Sequence, residues 1–244
     1  MKIGILGGTG PAGSALAARL ASVGYDIVIG SRSKYRAMEA VDKLHERWPD
    51  RKLSIVGGDN HDAASADVVV IATPWDGAYG TATSVADALS GKVVICMANA
   101  LTRIGKEFQP LVPPRGSVAA SVQAAVPGCQ VAAGFHHVPA TELGDLHHPI
   151  ESDVLICSDY PRATEVTSEI VAHVPNMRPL DAGGLSQATP IESFTAVLLQ
   201  LNVHYKTRVA VKFTGIPDEV GVPSTPPPGG ATAAVEPDPD ASAS

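Results

Sequence analysis

Short apolar runs separated by longer amphipathic stretches set the rhythm of the first 140 residues. Residues 2–6 are mostly apolar and β-favouring. From Ser14 the apolar positions Leu16, Leu20 and Val23 recur at helix-face spacing, and the pattern stops at Gly24. A second strand follows over 25–30, then a charged helix over 34–48 that ends before Pro49, then a strand over 53–56. Residues 67–73 (Asp-Val-Val-Val-Ile-Ala-Thr) form the near-continuous apolar run of a central parallel strand buried on both faces, and Pro74 stops it. A helix near 76–89, a strand over 92–97, a Pro-rich loop at 110–116, a helix over 117–126 and a strand over 130–135 complete the series. Strands alternating with helices predict an α/β fold: a Rossmann-type doubly wound parallel sheet, with ligand at the carboxyl ends of its strands.

Beyond residue 140 the pattern changes scale. A strand over 153–157, a helix over 162–173, an extended stretch over 178–183, an apolar helix over 190–206 and a closing strand over 209–214 predict a small C-terminal α/β portion. The expected organisation is a dinucleotide-binding domain over 1–139, a small domain over 140–216 and a tail over 217–244. The tail holds Pro226-Pro227-Pro228-Gly229-Gly230 followed by Ala, Ser and Asp, and its composition predicts disorder. The helix over 190–206 carries Phe194, Val197, Leu198, Leu199 and Leu201, more apolar surface than a small domain covers alone, which predicts a homodimer.

The turn after the first strand carries the first chemistry. Gly8-Thr9-Gly10-Pro11-Ala12-Gly13 reads G-x-G-x-x-G between strand and helix, the dinucleotide-binding fingerprint. Gly8 is expected to permit the tight turn, Gly10 the approach of the pyrophosphate, and Gly13 close packing of helix on strand. Free N–H groups and the positive dipole end of the helix would hold the phosphates, and Pro11 suits a first helical turn that needs no N–H. At the end of the second strand, where a carboxylate would accept the ribose 2′-OH, the chain carries Ser31-Arg32, then Lys34 and Arg36. No acid appears before Glu39. A hydroxyl and guanidinium forks suit a 2′-phosphate, so the expected nucleotide is NADP, with Thr9 adding its hydroxyl.

Charge and composition narrow the partners. Of the net −7, five acids and no Lys or Arg lie from Pro217 onward, leaving about −2 on the body. No basic stripe suggests nucleic acid. No apolar run approaches the ~18 residues of a membrane span. Cys96, Cys129 and Cys157 lie far apart without C-x-x-C spacing, as expected of reduced thiols in a cytoplasmic protein, and the chain opens directly on a strand rather than a signal peptide. His61-Asp62 and His147-His148 lack the spacing and third ligand of a zinc site and read as surface histidines, so no metal is expected.

Several segments taken in order are more specific. Gly7-Gly8-Thr9-Gly10, Gly30-Ser31-Arg32, Thr73-Pro74-Trp75-Asp76, Phe135-His136-His137-Val138-Pro139-Ala140 and the run Arg178-Pro-Leu-Asp-Ala-Gly183 together resemble the NADPH-dependent coenzyme F420 reductases (F420:NADP oxidoreductases). The resemblance covers residues 1–216. It implies hydride transfer between C4 of the nicotinamide of NADP(H) and C5 of the deazaflavin F420, both small-molecule substrates. It also implies that Thr9, Gly10, Pro11 and Ala12 hold the pyrophosphate, and that Ser31, Arg32 and Arg36 hold the 2′-phosphate, Arg36 standing where relatives carry Lys. Trp75 and Tyr79 would line the nicotinamide side, and His136, His137 and Val138 the place where the rings meet. Members of the family differ at His137 and Tyr79.

Direct hydride transfer asks little of side chains, because the cofactors carry the chemistry and the protein holds the rings at near-attack distance. No catalytic acid or base is therefore assigned. His136 titrates in a useful range but reads better as a loop histidine packed against the deazaflavin. Two other readings share the scaffold: a reductase with a flavin or imine acceptor, and a non-catalytic NADP(H) sensor that needs no second ring site.

Overall fold

The computed structural model describes residues 1–217, 220 and 225–228. Most of the tail expected to be disordered therefore lies outside the described residues. Eight strands form one sheet: β1 (Lys2–Leu6), β2 (Asp26–Ser31), β3 (Ile55–Asp59), β4 (Val68–Ile71), β5 (Val93–Cys96), β8 (Gln130–Ala133), β9 (Ser152–Ser158) and β10 (Met177–Asp181). Their spatial order is β10-β9-β8-β5-β4-β1-β2-β3. All neighbours run parallel except β8 and β9, which meet antiparallel through Ala132↔Ser158 and Ala133↔Cys157. The expected doubly wound sheet is present, and β9 and β10, from the C-terminal portion, extend that same sheet rather than forming another. Ser158 Oγ ties the antiparallel junction by donating to the Val131 carbonyl at 2.7 Å.

The central strands are apolar at every position because helices cover both faces, and successive side chains serve opposite layers. Ile3, Ile5, Ile27, Ile29, Val68, Val70, Val93 and Ile95 enter one core with α1 (Pro11–Ser22), α2 (Lys34–Arg47) and α8 (Pro161–Ala172). Leu6, Val28, Val69, Ile71, Val94, Cys96, Val131 and Ala133 enter the other. That second layer contains α3 (Asn60–Ala64), α4 (Trp75–Ser84), α5 (Ala86–Leu89), α6 (Val118–Ala125) and the start of α9 (Ala188–Tyr205).

Three local expectations are corrected, and one hairpin is added. The third strand runs over Ile55–Asp59 rather than 53–56. Gly57 and Gly58 belong to the strand: a Cβ on Gly57 would lie 2.7 Å from the Ala37 carbonyl carbon, and one on Gly58 2.6 Å from Asp62 Cβ. Glycine there lets α2 and α3 approach the backbone. The helix over 76–89 is two helices divided at Val85, whose φ of −128° is not helical. Residues 101–110 hold a hairpin, β6 (Leu101–Ile104) and β7 (Glu107–Pro110), turned by Gly105 at φ 63° and Lys106. Residues 209–214 form no strand. One ladder-like bond, Asp153 N to the Val211 carbonyl at 2.7 Å, is followed by Phe213 N donating to Asp153 Oδ2 at 2.6 Å, so a carboxylate replaces the next rung. The short α7 (Ala140–Leu143) links β8 to β9.

Among the described residues, no helix is long and apolar enough to cross a membrane. The three cysteines are free and buried.

Candidate active site

The strand order reverses at β1, with β2 on one side and β4 on the other, so the crevice beyond their carboxyl ends is the natural ligand site. Five parallel strands deliver residues to it. β1 leads to Gly7–Ala12, β2 to Ser31–Arg36, β4 to Thr73–Trp75, β5 to Met97–Asn99 and β8 to His136–Val138.

At the end of β1 the left-handed turn falls on Gly7 (φ 79°), not on Gly8. Gly8 instead abuts β2, where a Cβ would come 2.9 Å from Ile29 Cγ2. Gly13 has the expected role, since a Cβ there would meet the Gly7 carbonyl at 2.7 Å. Helix α1 starts with Pro11 and no side chain caps it, which leaves its first N–H groups for a ligand.

Thr9, Gly10, Pro11, Ala12, Ser31, Arg32, Arg36 and Trp75 line one cleft of about 510 Å³. Ser31 and Ser33 order the turn there: Ser31 Oγ accepts from Ser33 N at 3.2 Å, and Ser33 caps α2 by accepting from Arg36 N at 3.4 Å. Lys34 is engaged outside, 3.3 Å from Asp62. Arg32 and Arg36 are exposed and make no ion pair among the described residues. A cationic rim thus stands where an NAD site would place an acid. Thr73, from the Thr73–Asp76 segment, also lines the cleft, as do Asn60, Met97 and Asn99, which the sequence pattern does not single out. Among the described residues Asn60 Oδ1 and Thr73 Oγ1 are buried without hydrogen-bond partners, two polar atoms that a nucleotide or water can satisfy.

A second cavity, of about 210 Å³, is lined by His136, His137, Val138, Thr195 and Leu199, together with Ala12, Met97 and Asn99 from the first cleft. The two spaces therefore border the same three residues. His136 and His137 are each 3% exposed and Val138 8%, so this wall is part of the core. Asn99 Nδ2 donates to the His136 carbonyl at 2.8 Å, and His136 Nδ1 lies 3.1 Å from Asn99 Oδ1. Thr195 Oγ1 reaches both the His136 carbonyl (3.2 Å) and Asn99 Oδ1 (3.3 Å). His137 Nε2 bonds the Asp153 carbonyl at 2.8 Å. Burial, reinforced by His137, pulls His136 down to about 3, so its ring is neutral at physiological pH. Burial also lowers His137, against the opposing pull of its bond to Asp153.

Tyr79 stands apart. It is 57% exposed and lines a neighbouring cleft with Trp75, Pro113, Pro114 and Arg115. His148 pairs with Asp145 at 2.8 Å, and His147 meets the Trp48 ring edge-on at 4.8 Å.

One turn before Thr195 on α9, Glu192 accepts from Val118 N (2.9 Å) and Ala119 N (3.1 Å) and so clasps α9 to the start of α6. Burial outweighs these donors and raises its carboxyl from 4.5 to about 7. Between pH 4.5 and 6.5 the folded protein therefore holds a proton on Glu192 that the unfolded chain lacks, and stability falls as pH rises through this window. His136, displaced from 6.5 down to about 3, acts oppositely, because the unfolded chain binds the extra proton and stability falls as pH drops. Glu192→Gln removes the first slope. The variant's unfolding free energy, followed by urea titration from pH 5 to 6.5, should rise with pH more steeply than wild type by about 1 kcal/mol per unit. Parallel curves would show that Glu192 does not hold this proton.

Comparison with known proteins agrees with this architecture. A family model described as "NADP oxidoreductase coenzyme F420-dependent" matches residues 2–100. The F420-dependent NADP reductase of Methanocaldococcus jannaschii is 38% identical over 213 residues, 85% of this chain and 95% of that protein. That of Methanothermobacter marburgensis is 33% identical over 228 residues, 89% of this chain and all of that one. A crystallised Arthrobacter sp. FB24 protein, described as a candidate F420-dependent NADP reductase, superposes with a TM-score of 0.73 at 22% identity, over 87% of this chain and 100% of its own, a likeness of fold. With the sequence similarity extending over nearly the whole length of these relatives, the chain belongs to the F420-dependent NADP reductase family.

Proposed function

We propose that the protein transfers hydride between NADP(H) and coenzyme F420 in a ternary complex, with both cofactors as substrates. The observation that carries this reading is a second cavity that borders the nucleotide cleft at Ala12, Met97 and Asn99. A nucleotide sensor needs only the first. Thr9 to Ala12 receive the pyrophosphate at the start of α1, Ser31, Arg32 and Arg36 the 2′-phosphate, and Trp75 borders the nicotinamide side. His136, His137 and Val138 form the wall against which the deazaflavin rests. The cofactors supply the redox chemistry; the chain holds two flat rings together and excludes water between them. Neutral, buried histidines suit a wall rather than a proton donor, and no catalytic acid or base is assigned. Residues 1–139 are read as the nucleotide half, and 140–216 complete the acceptor cavity through Thr195, Leu199 and Val209. The test is single-turnover transfer from 4-deuterated NADPH, with F420 and then with a flavin supplied. Deuterium delivered to C5 of F420 supports the reading; hydrogen from solvent at C5, or transfer to flavin alone, overturns it.

The nucleotide assignment has its own test. Arg32→Ala should weaken NADPH binding about tenfold or more, the contribution of a charge-assisted contact, while NADH affinity stays nearly constant. Fluorescence titration of both nucleotides reads this, and equal losses would sink the 2′-phosphate site.

The homodimer belongs to the same proposal. Val197 (51% exposed) and Leu201 (36%) on one face of α9, with Ile104 (59%) on the hairpin that packs against that helix, leave apolar surface exposed. Phe108 N donating to Gln200 Oε1 at 3.3 Å joins hairpin and helix. A second copy would cover this face. Leu201→Asp should then halve the mass measured by light scattering; a wild-type monomer would end the assignment.

A further inference from the structure

Asn99 borders both clefts, and its hydrogen bonds determine the orientation of its amide. The His136 carbonyl, 2.8 Å away, can only accept, so the amide nitrogen must face it. Rotating the amide by half a turn would set oxygen against oxygen. Asn99 Oδ1 therefore faces His136 Nδ1 at 3.1 Å, and because that oxygen can only accept, Nδ1 carries the proton. The Thr195 hydroxyl is compatible with this, because it donates to either oxygen. A neutral imidazole with its proton on Nδ1 has a bare lone pair on Nε2, and that atom is buried with no partner among the described residues.

His137 reaches the same polarity by another route. Its Nε2 bonds the Asp153 carbonyl at 2.8 Å, so Nε2 carries the proton and Nδ1 is bare. Nδ1 is likewise buried and unpartnered among the described residues. Two adjacent residues of the acceptor cavity thus each hold an unsatisfied acceptor and no donor to match it. An unmatched buried acceptor is destabilising, which calls for a partner supplied from elsewhere.

We propose that Asn99 is a positioning residue that pins His136 as the Nδ1–H tautomer, so that the acceptor cavity recognises its ligand through a donor, a ring N–H or O–H, brought to Nε2. This inference rests on the proposed function for the identity of the ligand, but not for the tautomer. A ligand edge offering only carbonyl oxygens meets lone pairs there and is disfavoured. The imide N–H and ring hydroxyl of a deazaflavin are donors of the required kind.

The tautomer can be observed directly. In protein labelled with ¹⁵N-histidine and saturated with NADP⁺, long-range ¹H–¹⁵N spectra separate protonated from bare ring nitrogens, and His136 is assigned by its loss in His136→Gln. The expected spectrum has the proton on Nδ1 and a bare Nε2 whose resonance shifts when F420 is added. In Asn99→Leu the proton should move to Nε2, and the KM for F420 should rise about tenfold with kcat changed much less, the loss of one hydrogen bond. A wild-type proton on Nε2 overturns the proposal, whether or not the variant folds. So does an Asn99→Leu protein with unchanged tautomer and unchanged KM. A wild-type protein that shows the Nδ1–H tautomer but neither binds nor reduces F420 would refute the functional reading and leave the role of Asn99 standing.

Discussion

Arg19→Met is expected to lower the unfolding free energy by about 3 kcal/mol and to loosen the acceptor cavity without disturbing the nucleotide cleft. Arg19 lies on α1 and is 4% exposed. Its Nε donates to the Leu143 carbonyl at 3.0 Å, and its Nη2 to those of Glu142 and His148, each at 3.1 Å. Nη2 also donates to the Asp145 carbonyl. Burial lowers the guanidinium pKa, an effect that nearby Asp145 opposes. Four carbonyls of residues 142–148, two of them at the end of α7, thus depend on one cation. Methionine fills a similar volume but leaves those acceptors without donors, each at a cost of about 1 kcal/mol or more where water cannot reach them. For a chain of this size the melting temperature should fall by about 6–12 °C. The segment released directly follows His136 to Pro139, so the KM for F420 should rise while NADPH binding holds. Thermal melts and paired titrations check both parts. A melting temperature within ~2 °C of wild type would show that water replaces the guanidinium.

The difference between what was legible in the sequence and what was not follows from chain distance. The central strands announce themselves because burial on both faces demands unbroken apolar runs, and the phosphate loop because only glycine tolerates its turn and its close packing. Even there the assignment slipped by one residue, from Gly7 to Gly8, since two adjacent glycines look alike until φ is known. The hairpin at 101–110 carries a readable signal, Gly105-Lys106 between two short runs, that the neighbouring prolines obscure. Arg19 could not be read: in Ala-Leu-Ala-Ala-Arg-Leu it occupies what looks like the polar face, and only the loop folded back from residues 142–148 buries it. The same holds for the Asn99–His136–Thr195 set, whose members lie 37 and 59 residues apart. Such contacts are products of the sheet order, and no local pattern encodes them. Tyr79 is the converse case. It follows Trp75 by one helical turn, yet it lines the adjoining cleft with Pro113 and Pro114.

Ala12→Leu should slow hydride transfer by about a hundredfold while leaving the affinity for NADPH close to wild type. Ala12 borders both the nucleotide cleft and the acceptor cavity, and it offers only a methyl group where they meet. In the proposed ternary complex this is where the nicotinamide and deazaflavin faces approach. Three added carbons there would hold the rings apart, and a misplacement of ~1 Å costs on the order of 10² in rate because transfer needs a near-attack geometry. Phosphate binding should survive, since at this position α1 offers its backbone N–H and the side chain takes no part. The substitution also suits the local structure: Ala12 is half-buried in the first turn of α1, and leucine is a good helix former. Val138 is a poorer choice for the same experiment, because at 8% exposure it belongs to the core and a larger residue would strain the fold. Single-turnover kinetics with saturating NADPH and F420 measure the step. A loss of kcat with both KM values nearly unchanged identifies ring separation, whereas a rise in the KM for F420 alone would mean that the wedge merely blocks entry. A variant that transfers deuteride at the wild-type rate would show that the rings meet elsewhere, and would remove the junction at Ala12, Met97 and Asn99 as the seat of the reaction.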